Sequence, residues 1–158
     1  MWISWLLLLS SLLNGGPAPS SAAPAAVVHP QPVVPRWELD GVALGDDEWK
    51  VAAAWGRPGA IGEDEWHREC AIWSYDDGKN VGLCEGAVSF VQVTANAGRA
   101  NLNGRELLLE DADLRQALGQ PEFEAEDGWG VLNGDEAIKV FVDDRGELVS
   151  LDLFGAEC

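Results

Sequence analysis

The chain has 158 residues, with 27 acidic and 10 basic side chains and a formal net charge of −17. That length holds one ordinary domain or two very small ones. The charge argues against nucleic acid and anionic membrane surfaces as partners, because both would repel it; solubility is its first explanation, with steering toward a basic partner or loose cation binding as the functional alternatives.

The first 35 residues carry no charged side chain, and Arg36 is the first. Trp2 to Leu13 is an apolar run of 12 residues interrupted only by Ser4, Ser10 and Ser11. It is followed by Asn14-Gly15-Gly16-Pro17 and a tract of small residues ending Ala23-Pro24-Ala25-Ala26. A short apolar stretch before an Ala-x-Ala exit resembles a secretory signal peptide, although its start has no Lys or Arg. The alternative is an apolar N-terminal anchor, but a bilayer-spanning helix needs about 20 residues. The expectation is a signal peptide over residues 1–25 and an exported chain, periplasmic or extracellular, with no membrane attachment after cleavage. Residues 26–35 are Pro-punctuated and uncharged, which suits an extended linker.

From residue 36 onward one frame is written twice, 63 positions apart. Leu39, Gly41, Leu44, Val51, Ala54, Gly56 and Pro58 return as Leu102, Gly104, Leu107, Leu114, Ala117, Gly119 and Pro121. In each copy acidic residues precede a short amphipathic run, Glu48–Trp55 and Ala112–Leu118, as the unpaired N–H groups of a helix start require. Gly56 and Gly119 fall where a left-handed residue would end each helix, with Pro two positions on. The apolar stripes are Val51, Ala54 and Trp55, then Leu114, Ala117 and Leu118. Strands are expected at 71–75, 80–84 and 87–94, and again at 129–132, 137–142 and 147–154, separated by Asp-, Asn- and Gly-rich turns. The fold class is therefore α+β: two tandem repeats, 36–98 and 99–158, each roughly β-α-β-β-β with one helix on an antiparallel sheet. Units of about 60 residues are marginal alone, so the two should abut or share a core.

Of the three cysteines, Cys70 and Cys84 can face each other. If Asp76-Asp77-Gly78 forms a three-residue loop with Gly78 left-handed, Cys70 opposes Cys84, Trp73 opposes Val81 and Ala71 opposes Leu83. A two-residue turn at Asp77-Gly78 would instead set Trp73 against Gly82. The first register is preferred because it places a bridge and an apolar face together. Cys158 is then left over.

No catalytic constellation stands out. His67 is the only histidine after the linker and sits among Glu63, Asp64, Glu65, Arg68 and Glu69. It could be a solvated loop residue, a metal ligand or a general base, but zinc needs three or four spaced ligands. The pairs Asp46/Asp47, Asp76/Asp77 and Asp143/Asp144 sit at helix starts or turns, where Asp is expected on structural grounds. Asp143 to Glu147 lacks calcium-loop spacing. No metal, cofactor or catalytic residue is expected.

Trp55, Trp73 and Trp129 fall at core positions. Trp49 lies off its helix stripe and Trp66 lies in the charged connection, so these two are the candidate binding residues, since large aromatics in a polar rim often anchor protein interfaces. For Trp66, loop packing is an equal alternative. Phe90 and Phe141 are further candidates for an exposed sheet face.

The tandem frame, carried by Gly41, Val51, Gly56, Pro58, Gly104, Leu114, Gly119 and Pro121, resembles the duplicated modules of the β-lactamase inhibitor protein family. It also resembles the small barrel-assembly lipoproteins of bacterial envelopes. The resemblance implies exported α+β modules that bind proteins, the inhibitors gripping an enzyme on the concave side of the sheet; no functional residue carries over from it. The reading is a non-catalytic protein-binding or inhibitory module. Its rivals are an envelope enzyme or metal binder built around His67 and nearby acids, and a purely structural secreted protein.

Overall fold

The computed structural model describes residues 35–156. The expected signal peptide and most of the linker, with His29, lie outside the described residues, as does Cys158. The fold is α+β. Two eight-residue helices, α1 (Glu48–Trp55) and α2 (Asp111–Leu118), accompany an eight-stranded antiparallel sheet and a two-stranded ribbon.

A four-strand meander follows each helix. After α1 come β1 (Ala60–Glu63), β2 (Cys70–Ser74), β3 (Lys79–Cys84) and β4 (Ala87–Thr94). The ribbon, β5 (Arg99–Leu102) and β6 (Arg105–Leu108), leads into α2, and after it come β7 (Phe123–Ala125), β8 (Gly128–Asn133), β9 (Glu136–Val142) and β10 (Leu148–Gly155). The sheet order is β1-β2-β3-β4-β10-β9-β8-β7. The expected β-α-β-β-β unit is thus corrected in one respect: four strands, not three, follow each helix. The two strands missed, β1 and β7, are edge strands of four and three residues without apolar alternation.

The last strands of the two meanders make the seam. β4 and β10 pair antiparallel, with Phe90 opposite Phe154, Val91 opposite Leu153, Gln92 opposite Asp152 and Val93 opposite Leu151. Because side chains alternate across a strand, Val91, Val93, Leu151 and Leu153 all point to one face, where they are fully buried. The helices cover that same face: Val51 of α1 and Leu114 of α2 are fully buried in one cluster with Val81, Ile138 and Val140. Of the expected stripes, Leu114, Ala117 and Leu118 hold, whereas Ala54 is exposed and α1 seats itself through Val51 and Trp55.

Local chemistry sets each helix. Asp47 caps α1, its carboxylate accepting from the Lys50 N–H at 2.8 Å. Glu110 precedes α2 without a side-chain cap bond. Asp111 instead accepts from the Trp129 indole N–H at 2.8 Å and from Arg115 at 2.8 Å, fixing the helix start to β8. Gly56 and Gly119 end the helices, but with ψ of −156° and −158° at φ of 78° and 87° they lie in a positive-φ region outside the left-handed helical one that was expected. Only glycine occupies that region at little cost.

The lead-in turns meet each other. Asp40-Gly41 and Asn103-Gly104 are two-residue loops with positive φ at both residues, the condition of a type I′ turn. Leu39 bridges Leu102, and the Asp40 carboxylate accepts from the Asn101 N–H at 2.7 Å. Burial raises the Asp40 carboxyl above its ordinary pKa, and the Asn101 bond opposes that rise.

The β2–β3 register is the three-residue-loop alternative: Cys70 opposes Cys84, Ala71 opposes Leu83 and Trp73 opposes Val81, with Gly78 at φ 85°. Cys70 and Cys84 form a disulfide, on the face away from the helices. Closing a loop of this length restricts the unfolded chain by about 3 kcal/mol. The double variant Cys70→Ser/Cys84→Ser should therefore lose about 3 kcal/mol in urea unfolding; a change below 1 kcal/mol would show that the bridge contributes little.

Candidate functional site

Among the described residues, no helix covers the other face of the sheet. β4 presents Phe90, Gln92 and Thr94 there, and β10 presents Ser150, Asp152 and Phe154. β9 adds Lys139 and Phe141, whose neighbours Ile138 and Val140 are buried in the core. A groove of about 730 Å³ lies on this face, lined by Phe90, Phe141 and Phe154 around Gln92 and Asp152. The connection between β1 and β2 borders it, contributing Asp64, Trp66 and His67, and Cys84 of the disulfide lies at the same side.

The centre of the groove is an ordered polar row running across three strands. Asn80 Nδ2 donates to Gln92 Oε1 at 2.8 Å, and Gln92 Nε2 donates to Asp152 Oδ2 at 2.9 Å. Ser150 Oγ donates to Asp152 Oδ1 at 2.5 Å. Lys139 stands directly opposite Asp152 in register, yet its ammonium turns away to Asp127 at 2.6 Å and lies 4.1 Å from the centroid of the Phe141 ring. Among the described residues Asp152 has no ion pair within 4.0 Å. Burial pushes its carboxyl above the ordinary aspartate pKa, and the bonds from Ser150 and Gln92 and the nearby Lys139 charge only partly offset this.

Glycine is required beneath the aromatic side chains. A Cβ at Gly82 would overlap the Phe90 ring, and one at Gly130 would overlap the Phe123 ring. The Phe90 ring therefore packs directly on the β3 backbone at Gly82.

The rim is set by Asp64, which accepts from the Trp66 N–H at 2.8 Å and the His67 N–H at 3.0 Å. These two backbone bonds hold the Asp64 carboxyl below its ordinary pKa. The bend projects Trp66 outward, 87% exposed. His67 Nδ1 is 3.9 Å from Asp64 Oδ1, too far for a hydrogen bond, and its side chain is 66% exposed. Among the described residues no three His, Cys, Asp or Glu side chains converge as a metal site would require. Ser150 is 2% exposed with its hydroxyl committed to Asp152, so it offers no accessible nucleophile.

The two candidate tryptophans are not brought together. Trp66 borders the groove, whereas Trp49 is 77% exposed on α1, which packs on the opposite face. Phe90 and Phe141 do share the exposed face. Phe154, Gln92 and Asp152 were missed, although the alternation Phe90-x-Gln92-x-Thr94 and Ser150-x-Asp152-x-Phe154 around buried aliphatics carried the signal. A smaller cavity of about 260 Å³ lies between α2 and β8. There the Asp111–Arg115 pair seats against Trp129, with the guanidinium 4.6 Å from the ring centroid, an arrangement that anchors the helix.

No protein-family model and no curated protein matches the chain. Among solved structures it is similar to an extracellular protein containing a SCP domain from Bacillus anthracis, with a TM-score of 0.52 and 17% identity. That match covers 72% of this chain and 44% of the other, so this chain spans less than half of that protein's length. A cysteine-rich secretory protein from Staphylococcus aureus matches at TM-score 0.43 and 13% identity, over 72% of this chain and 45% of that one. A DUF4309 family protein from Bacillus subtilis matches at TM-score 0.44 and 12% identity, over 70% and 78%. At such identities the likeness concerns the fold alone. The likeness to the SCP-domain protein overturns the resemblance to the β-lactamase inhibitor and barrel-assembly lipoprotein families. The residues that suggested it, such as Gly41, Gly56, Gly104 and Gly119, serve turns and helix ends, which unrelated folds also need.

The environment of Asp152 gives a signed expectation. An acid whose native pKa is raised takes up its proton first in the folded state, so acidification through that pKa relieves a native-state penalty. The stability of Asp152→Asn relative to the parent should therefore rise with pH, between the ordinary aspartate pKa and the higher native one, in urea unfolding at a series of pH values. Carboxyl-carbon NMR should place the Asp152 midpoint above those of Asp64 and Asp127; a midpoint at or below theirs would contradict the burial argument.

Proposed function

We propose that this chain is an exported, non-catalytic binding module that holds an extended segment of another protein in the groove on the bare face of its sheet. The single observation behind this reading is the set Phe90, Phe141 and Phe154, gathered from three strands onto the face the helices do not cover, beside the exposed Trp66. Aromatic groups collected at a polar-rimmed surface are the usual anchors of protein interfaces. The occupant is an apolar segment with a net basic charge, because the chain carries −17 and the groove includes Asp64 and Asp152.

Export is supported by the apolar run at 2–13, by a disulfide of the kind that persists in oxidising compartments, and by a fold shared with a protein described as extracellular. Duplication is the proposed origin of the two meanders, with residues 36–98 and 99–158 as its units. Its support is the recurrence of φ 51° at Asp40 and Asn103, and of the same glycine geometry at Gly56 and Gly119. Trp66 is assigned to the groove; Trp49, on the opposite side, is a separate exposed aromatic outside it.

Panning a random peptide library against the protein tests this reading. Enriched peptides should combine Leu, Phe or Trp with Lys or Arg, and their affinity should fall about tenfold in Trp66→Ala and in Phe154→Ala while Trp49→Ala leaves it intact. Enrichment of nothing, or of peptides indifferent to both groove variants, would contradict it.

A further inference from the structure

Resting on that groove reading, we propose that Asp152 is the counter-ion for a single lysine or arginine side chain of the bound segment, held between the carboxylate and the phenylalanine rings around it. The geometry is specific. Each Asp152 oxygen accepts one hydrogen bond, from Ser150 Oγ and Gln92 Nε2 respectively. A carboxylate oxygen has a second acceptor position, so the group is fixed in orientation and still able to receive a cationic donor.

The cation opposite Asp152 within the fold is committed mainly to another acid. Lys139 is opposite it in register but is paired with Asp127 and lies over the Phe141 ring. The charged or titratable groups facing this position are thus Lys139 with Asp127 from the β9 side, and Asp64 and His67 from the β1–β2 connection. The Asp64 and Asp152 carboxylates outnumber the one partly committed ammonium. Lys139 over Phe141 also shows that this face accepts an ammonium against an aromatic ring, an attraction that strengthens when water is excluded. A carboxylate held in a largely desolvated aromatic setting costs stability unless a partner arrives, and a cationic side chain on an apolar segment supplies one.

Peptides of sequence Ac-Leu-Ser-Z-Ser-Phe-amide, with Z as Lys, norleucine or Glu, and Nα-acetyl-lysine amide alone would test it. The signals to follow by 15N NMR are the Gln92 side-chain amide, bonded to Asp152, and the Trp66 indole at the rim. The Lys peptide should shift both. The norleucine peptide should bind about tenfold more weakly and leave the Gln92 signal in place, and the Glu peptide should bind more weakly still. Asp152→Asn should erase the preference for Lys over norleucine while keeping norleucine binding. On the parent protein, raising NaCl from about 0.05 to about 0.5 M should weaken only the Lys peptide. That arm holds even if the variant folds poorly.

Equal affinity for Lys and norleucine, or a preference that survives in Asp152→Asn, overturns the counter-ion role and leaves the groove reading standing. If no peptide moves either signal, the groove reading falls and takes this one with it. Binding of acetyl-lysine amide as tight as that of the peptide overturns the assignment of the cation to a protein segment.

Discussion

The pairing of β4 with β10 is the constraint from which the rest of the molecule follows. Each meander alone is a four-stranded sheet with one short helix, too small to bury much. Joined at this seam, they present Val91, Val93, Leu151 and Leu153 as one apolar band. Onto that band both helices set their buried residues, Val51 and Leu114. A one-residue slip at the seam would turn those four aliphatics outward and the phenylalanines inward. Register and the make-up of both faces are fixed by the same hydrogen bonds.

The same seam explains why the other face has its character. Every aliphatic directed to the core forces its neighbour outward, and at the centre those neighbours are Phe90, Gln92, Asp152 and Phe154. Among the described residues both helices lie on one side, which leaves the other face of the eight-stranded sheet without a helix over it. Antiparallel sheets commonly do so with a polar outer face. Here the outer face instead mixes aromatic rings with a hydrogen-bonded polar row, and the bend at Asp64 sets Trp66 beside it.

Much of the local structure was legible from residues alone. Both helices, their acidic starts and the six central strands follow from periodicity and turn chemistry. The Cys70–Cys84 register follows from one assumption about Gly78. The edge strands β1 and β7 were not legible, because three or four residues such as Ala-Ile-Gly-Glu carry no alternation to read. The ψ values at Gly56 and Gly119 were not legible either, since glycine permits several positive-φ states. The site was half legible. Trp66 was visible as an aromatic in a charged loop, and Phe90 and Phe141 as candidates for an exposed face. Which strand neighbours which is a long-range fact that no local pattern encodes. The alternation placed Asp152 and Phe154 on one face of their strand, but only the β4–β10 pairing sets them beside Gln92 and Phe90.

The most direct measurement of the central claim is solution NMR of the chain with cross-strand NOEs and a soluble paramagnetic probe. The account predicts backbone NOEs linking residues 90–94 to residues 150–154, together with probe broadening of the Phe90, Phe141 and Phe154 rings and none of Val91, Val93, Leu151 or Leu153. Absence of those NOEs, or rings as shielded from the probe as the four aliphatics, would contradict it.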